Sequence, residues 1–136
     1  MMVYLICGSP CSGKSTYVRE HFKAGDIVCD VDRLYASLCY NEEHQEEIYA
    51  QEVAKVLYKD LLDLIRDRTG HWKNAYVICL ANTDEKISQM KERVHADEVV
   101  MLDTPFEVCM ERAKERPFYF QWIIEDWFMN KEVTHA

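Results

Sequence analysis

Residues 4–22, YLICGSPCSGKSTYVREHF, decide the fold of this chain. An apolar run ends at Cys7, a glycine-punctuated loop follows, and an amphipathic segment begins at Lys14. A continuous apolar run is typical of a strand that is buried on both faces of a parallel sheet. The order of strand, glycine-rich loop and helix predicts a loop that holds phosphate groups.

The loop matches the pattern G-x-x-x-x-G-K-[ST] at residues 8–15. In this pattern the glycines let backbone N–H groups converge on phosphate oxygens, Lys14 reaches the β- and γ-phosphates, and Ser15 offers its hydroxyl to Mg²⁺. The hydroxyl of Thr16 either binds the α-phosphate or satisfies a helix carbonyl. The predicted nucleotide-binding residues are Gly8, Ser9, Pro10, Cys11, Ser12, Gly13, Lys14, Ser15 and Thr16.

Length and composition predict one compact domain, residues 1–136. The chain has 136 residues, of which 49% are apolar and 29% charged, so it can bury a core of ordinary size. Its formal net charge of −8 speaks against extended nucleic-acid binding, which needs many cationic contacts to phosphates, but permits a local basic pocket.

The sequence also bears on membrane association and on the redox state of the cysteines. No apolar run approaches the roughly 20 residues that cross a bilayer, so we expect no membrane span and a cytoplasmic location. The six cysteines include no C-x-x-C pair, which favours reduced thiols within the core.

Four apolar segments alternate with helical patterns. Strands are predicted at residues 3–7, 27–31, 75–80 and 99–102. This alternation predicts an α/β fold with a mostly parallel sheet of about four strands between helical layers. Ligands of such sheets bind beyond the carboxyl ends of the strands.

Three helices carry recognisable signals at their ends. A long helix is predicted over residues 41–69, with Asn41 as its N-cap and an acidic first turn. Thr104, Pro105 and Glu107 match a capping box with proline at the first helical position. An aromatic helix is predicted over residues 118–130.

Two carboxylates follow the second strand in the segment IVCDVDRLY. Asp30 and Asp32 are two residues apart, so in extended chain they face the same side. One carboxylate can hold a metal-bound water while the other accepts a proton from an attacking hydroxyl. Alternatively, one of them caps the next helix, and Asp32 is well placed to do so.

Four segments that together span nearly the whole chain resemble P-loop kinases: CGSPCSGKSTYVREHF, CDVDRLYASL, YVICLANTDEKISQMKERV and LDTPFEVCMERAKERP. The likeness extends to the kinase domain of phage polynucleotide 5′-kinases and to small phage-type ATP-binding proteins of the AAA type. It implies a nucleotide-kinase-like, three-layer P-loop NTPase fold that uses ATP and Mg²⁺.

The resemblance also implies roles for individual residues. It implies that Asp32 is the general base, that Asp30 assists magnesium together with Ser15, and that Arg112 and Arg116 are lid arginines. With Lys14, these are the predicted catalytic and metal-binding residues. Independently of the likeness, a spacing of four places Arg112 and Arg116 on one helical face.

The chain departs from this family after the third strand, where relatives carry an acidic residue that serves the magnesium. Ala81 and Asn82 stand there instead, and Asp84 comes later. Three alternatives exist for the missing magnesium ligand: Asp30 supplies it, Asp84 extends back to supply it, or Ser15 and the phosphates hold the metal without a further carboxylate. We favour Asp30.

The predicted lid is short, since Pro117 follows Arg116 directly. The aromatic helix that comes next either stacks on adenine or acceptor, or packs on the sheet.

The sequence therefore predicts a kinase that transfers the γ-phosphoryl of ATP to a hydroxyl or phosphate of a nucleoside, a nucleotide or a nucleic-acid end. An alternative is an ATPase or nucleotide-dependent switch that acts through a protein partner. Oligomeric AAA motors carry a hydrophobic-Asp-Glu motif directly after a strand, and no such motif follows a predicted strand here. A third reading is a nucleotide-binding module without catalysis.

Overall fold

The computed structural model describes residues 1–40 and 47–132, and its centre is a sheet of four parallel strands. The strands are β1 (Met2–Cys7), β2 (Ile27–Cys29), β3 (Asn74–Cys79) and β4 (Glu98–Met101). Their order in the sheet is β2-β3-β1-β4. The prediction of an α/β fold with a parallel sheet of four strands is confirmed.

Helices connect the strands. They are α1 (Lys14–His21), α2 (Val31–Leu38), α3 (Ile48–Arg66), α4 (Asp84–Val94), α5 (Phe106–Arg112) and α6 (Phe120–Met129), and a 3₁₀ turn (Ala113–Glu115) follows α5. Within the described residues, no helix combines the length and apolar character that a membrane span requires.

The central strands are buried on both faces, which explains their continuous apolar sequence. On one face, Val3, Leu5 and Cys7 pack into the core with residues of α3 and α4. On the other face, Ile6 packs with Val18 of α1. Because β1 is covered on both sides, the loop that leaves its carboxyl end starts from a fixed position.

The predicted long helix is present as α3, but it begins at Ile48, after its N-cap Glu47, and not at position 41. Many of its apolar side chains lie at the surface. Ala54, Leu62 and Ile65 form its buried face, whereas the apolar residues Tyr49, Val53, Val56, Leu57 and Leu64 are exposed. The predicted cap at Asn41 lies outside the described residues.

The predicted capping box at the start of α5 is wrong. Pro105 is the N-cap of α5 and no side chain caps the helix. The hydroxyl of Thr104 instead donates a hydrogen bond to the carbonyl of Ser12, at 2.7 Å. A tertiary partner in the phosphate loop has therefore replaced the local one.

Candidate functional site

The phosphate loop joins β1 to α1 in a conformation that requires its glycines. Gly13 has φ +97°, a left-handed backbone that L side chains rarely adopt. A Cβ on Gly8 would lie 2.5 Å from the Oγ of Ser12, closer than real Cβ contacts allow. Both fixed glycines of the sequence motif thus have a structural cause.

The side chain of Lys14 lies buried at the floor of the loop. Its Nζ donates hydrogen bonds to the carbonyls of Gly8, at 2.8 Å, and Ser9, at 2.6 Å. Burial lowers the pKa of Lys14, while the nearby Cys79 and Asp30 act in the opposite direction. The ammonium is positioned where a phosphate would be held.

A cleft of about 1370 Å³ opens above this loop at the carboxyl ends of the strands. Of the predicted site residues, those that line it are Pro10, Cys11, Ser12, Gly13, Lys14, Ser15, Thr16, Asp30, Asp32, Arg112 and Arg116. Gly8 and Ser9 lie beneath the cleft, where their carbonyls hold Lys14. The tertiary structure thus brings the sequence-predicted residues together.

Asp30 and Asp32 both line the cleft, but their arrangement differs from the prediction. The chain turns into α2 at Val31, so the argument from extended alternation does not apply. Asp30, not Asp32, caps α2: its Oδ1 accepts a hydrogen bond from the backbone N–H of Asp32 at 3.0 Å. Asp30 is 6% exposed, and burial raises the pKa of its carboxyl.

Arg112 and Arg116 also differ in their local geometry. Helix α5 ends at Arg112, and Arg116 follows the 3₁₀ turn in extended conformation, so the two do not share a helical face. Arg112 donates a hydrogen bond to the carbonyl of Cys11 at 3.1 Å. The guanidinium of Arg116 lies 5.9 Å from the ring centroid of Phe120. Both arginines nevertheless line the cleft beside the phosphate loop.

The donor groups in the cleft fit a magnesium ion that is shared with a nucleotide. The hydroxyl of Ser15 and the buried carboxylate of Asp30 are hard oxygen donors, the type that Mg²⁺ prefers. In the part of the chain that the structure describes, no three His, Cys, Asp or Glu side chains are grouped closely enough to hold a metal ion. A metal here would therefore depend on phosphate oxygens for most of its ligands.

Asn82, three residues after the end of β3, has a structural role. Asn82 is buried; its Nδ2 donates to the carbonyl of Trp127 at 2.9 Å, and its Oδ1 accepts from Lys86 at 3.3 Å. Trp127 in turn donates from Nε1 to the carbonyl of Leu80 at 2.8 Å. The position at which relatives carry a magnesium-site acid thus anchors helix α6.

Helix α6 packs on α5 rather than on the sheet and also borders the cleft. Ile124 and Trp127 are buried and hold the helix in place, whereas Phe120 and Ile123 line the cleft. The helix therefore packs through one face and contributes an apolar wall to the site through another.

Sequence reasoning missed the wall formed by α3 and α4. Its cleft-lining residues include Lys55, Tyr58, Lys86, Gln89 and Arg93. Nothing in the sequence distinguished these lysines from a solvated helix face. Around the described cleft, six basic and four acidic side chains give a formal charge of +2, in a chain of net charge −8. The cleft is thus the place where this acidic chain is suited to bind an anion.

Comparison with known proteins agrees with this geometry. A family model described as AAA domain matches residues 3–121. No curated protein matches the chain significantly. The chain is similar in structure to a chain of the Pnkp1/Rnl/Hen1 RNA repair complex, with a TM-score of 0.67 and 18% identity over 94% of this chain. It spans 43% of that chain's length.

Two further solved structures share the fold. A sugar kinase from Janibacter sp. HTCC2649 has a TM-score of 0.62 at 14% identity and covers 98% of this chain and 83% of its own. Shikimate kinase from Acinetobacter baumannii, in complex with shikimate, has a TM-score of 0.56 at 15% identity and covers 100% of this chain and 84% of its own. Since the family model matches most of the chain, the chain belongs to the AAA domain family, and its fold is that of the P-loop kinases.

Proposed function

We propose that this chain is an ATP- and Mg²⁺-dependent phosphotransferase, formed as one P-loop kinase-like domain over residues 1–136. Its reaction moves the γ-phosphoryl group of ATP to a hydroxyl or phosphate of a nucleoside, a nucleotide or a nucleic-acid 5′ end. The observation that carries this proposal is that one cleft combines the phosphate-loop lysine, two carboxylates beyond β2 and two arginines beyond β4.

Each group has a role that suits its position. Lys14 holds the β- and γ-phosphates, and Arg112 and Arg116 stabilise charge on the transferring group. Ser15 and Asp30 would hold magnesium, which when bound neutralises charge on the phosphates. Asp32, exposed at the start of α2, accepts the proton of the acceptor hydroxyl.

One observation favours the opposite assignment of the two carboxylates, in which Asp30 and not Asp32 is the base. Burial raises the pKa of Asp30, and a raised pKa brings a carboxylate closer to the range in which it accepts protons at neutral pH. The Oδ1 of Asp30 is engaged by the helix cap, which leaves Oδ2 to serve as base. The experiment below separates these two assignments.

The acceptor would lie between the carboxylates and the wall of α3 and α4. Tyr58 and Met90 offer apolar surface there, and Lys55 and Lys86 offer positive charge. The hydroxyl of Tyr58 is engaged, donating to the carbonyl of Ile78 at 3.0 Å, so its ring is held in place. These features suit an acceptor with a flat or apolar body and an anionic group.

An ATPase that acts through a partner protein is the second candidate. The family description, AAA domain, is compatible with an ATPase, because it does not specify transfer of phosphate to a hydroxyl. It predicts phosphate release without a phosphorylated product.

The test is incubation of the purified chain with [γ-³²P]ATP, Mg²⁺ and matched acceptors: nucleosides, their monophosphates and 5′-hydroxyl oligonucleotides. We expect label in one acceptor class and loss of transfer in Lys14→Met. Phosphate release with every acceptor unlabelled would support the ATPase instead. No turnover of ATP at all would contradict both.

The carboxylates are then compared as Asp30→Asn and Asp32→Asn across a magnesium titration. Loss of the base lowers kcat at every magnesium concentration, whereas loss of a metal ligand raises the concentration needed for half-maximal rate. We expect the first pattern for Asp32→Asn and the second for Asp30→Asn. The opposite pair of patterns would exchange the two roles.

A further inference from the structure

Two cysteines meet beneath the phosphate loop. Cys7 is the last residue of β1 and Cys79 the last residue of β3, and the two are register partners in adjacent parallel strands. Their sulfur atoms lie 3.3 Å apart. Among the described residues, all cysteines are free thiols.

The two thiols differ in access. Cys7 is fully buried, whereas Cys79 is 7% exposed and lines the cleft. Within this pair, a small oxidant that enters the cleft therefore reaches Cys79 before Cys7. The nearest sulfur to it is that of Cys7, which has no route of its own to solvent.

We propose that Cys7 and Cys79 form a redox-modification site, in which a peroxide that enters the cleft converts the dithiol into a reversible disulfide that weakens nucleotide binding. The effect on binding rests on the proposed function, whereas formation of the disulfide does not.

The chemistry balances in two steps. The Cys79 thiolate attacks one oxygen of hydrogen peroxide, the O–O bond breaks, and a sulfenic acid and hydroxide form. The thiol of Cys7 then attacks the Cys79 sulfur, the S–O bond breaks, and a disulfide and water form. In sum, two thiols are oxidised and one peroxide is reduced to two waters. A dithiol reductant reverses the reaction by exchange.

The local environment supports Cys79 as the attacking sulfur. The hydrogen bond from Cys7 lowers the pKa of Cys79, and the nearby Lys14 ammonium acts in the same direction, although burial opposes both. The pKa of Cys7 is raised by the same hydrogen bond and by burial. This asymmetry suits one attacking and one resolving thiol.

The disulfide would act on the phosphate loop through the backbone. The sulfurs must approach from 3.3 Å to a bond length of about 2.05 Å. Adjacent strands lie about 4.8 Å apart, closer than the Cα separation of about 5.5 to 6 Å that is usual across a disulfide, so the bond strains the ends of β1 and β3. Gly8 follows Cys7 directly, and its carbonyl is one of the two that hold Lys14. A displacement at Cys7 is thus transmitted to the groups that bind phosphate.

The test uses the wild-type chain, reduced and then treated with hydrogen peroxide, with and without MgATP. We expect loss of two hydrogen masses, a peptide link between Cys7 and Cys79 located by fragmentation, and reversal by dithiothreitol. MgATP should slow the reaction by filling the cleft. The oxidised chain should bind a fluorescent ATP analogue about tenfold more weakly or worse, since displacements of about 1 Å at a site carry large penalties.

Variants identify the order of attack. In Cys7→Ala, peroxide should leave a sulfenic acid on Cys79 that dimedone labels, and in Cys79→Ala neither the disulfide nor this label should form. Cys39→Ala, at the end of α2 and outside the cleft, should behave as wild type.

Two results would overturn the proposal: a peroxide-treated wild-type chain without the Cys7–Cys79 link, or a linked chain with unchanged nucleotide affinity. If the reduced chain bound no nucleotide, the proposed function would fail and the effect on binding with it. The mass measurement would still decide whether the pair forms the disulfide.

Discussion

The hydroxyl of Thr104 donates a hydrogen bond to the carbonyl of Ser12 at 2.7 Å and so ties the segment after β4 to the phosphate loop. The two residues are 92 positions apart in the chain. Ser12 belongs to the loop that holds Lys14, and Thr104 precedes the helix that carries Arg112. This contact couples the phosphate-binding loop to the element that supplies the arginines.

Removal of that contact should weaken both stability and nucleotide binding. We expect Thr104→Val to lose about 1 kcal/mol of unfolding free energy, the usual net value of one hydrogen bond, and to bind nucleotide several-fold more weakly. Urea unfolding and titration with a fluorescent ATP analogue measure the two effects.

Thr83→Val is the matched control for Thr104→Val. Thr83 caps α4 by accepting a hydrogen bond from the backbone N–H of Lys86, so its loss also costs about 1 kcal/mol. This cap does not touch the phosphate loop, and nucleotide affinity should stay unchanged. Equal affinities for the two variants would refute a special role for Thr104.

The left-handed backbone of the phosphate loop predicts the effect of Gly13→Ala. At φ +97° an added Cβ is strained, so we expect a loss of about 1 to 2 kcal/mol of stability together with nearly complete loss of nucleotide binding. Gly25→Ala provides the comparison, because Gly25 has φ +94° but lies outside the cleft. Gly25→Ala should lose a similar amount of stability but keep its affinity for nucleotide. If both variants lost nucleotide binding, general unfolding would explain the result.

The two arginines beside the phosphate loop should act on the rate of transfer. We expect Arg112→Ala and Arg116→Ala each to lower kcat by about 100-fold or more, because charge stabilisation dominates phosphoryl transfer. Arg112→Ala should also raise the KM for ATP, since Arg112 holds the carbonyl of Cys11. Arg19→Ala, on the exposed side of α1, is the control and should leave both constants unchanged. Wild-type kcat in both cleft variants would exclude the arginines from catalysis.

The buried carboxyl of Asp30 should make stability depend on pH. Burial raises its pKa above the unfolded value of 3.8, so the ionised carboxylate destabilises the folded state, and this penalty is lost as pH falls through the raised pKa. Asp30→Asn keeps an oxygen for the helix cap and removes the charge. We expect it to melt at a higher temperature than wild type at neutral pH, with a difference that shrinks as pH falls.

Asp67→Asn should change stability in the opposite direction, and we expect it to melt at a lower temperature than wild type at neutral pH. The hydrogen bond from Arg66 lowers the pKa of Asp67, so this carboxylate contributes stability above its unfolded pKa and loses it as pH falls. Asp67 is fully exposed, and the effect should be small. Thermal melts of wild type and both variants between about pH 3.5 and 8, which bracket the ordinary carboxyl pKa, provide the measurement. A lower melting temperature for Asp30→Asn at neutral pH would contradict the burial argument.

Several features of the site were predictable because they depend on short-range chemistry. Gly8, Gly13, Lys14 and Ser15 fall within eight successive residues, and their spacing alone places them between the end of a strand and the start of a helix. The burial of β1 on both faces follows from its continuous apolar sequence. These signals do not depend on the rest of the chain.

Other features were not predictable, because residues far apart in sequence compete for the same atoms. Thr104 carries the local signal of a helix cap but bonds to Ser12 instead. Asp30 caps α2 although the sequence pointed to Asp32, because the helix already begins at Val31. Tyr49, Val53 and Val56 of α3 are apolar but exposed, because packing against the sheet selects a different face of the helix, which carries Ala54, Leu62 and Ile65.

The parallel α/β fold and the phosphate loop follow from local sequence patterns, because both arise from the alternation of apolar strands, turn residues and helices. Which side chains share the cleft with that loop depends instead on tertiary packing. It placed Lys55 and Lys86 in the same cleft as the carboxylates, bonded Asn82 to helix α6, and brought Cys7 against Cys79. Such contacts depend on strand order and helix packing, which juxtapose residues that no spacing in the sequence relates.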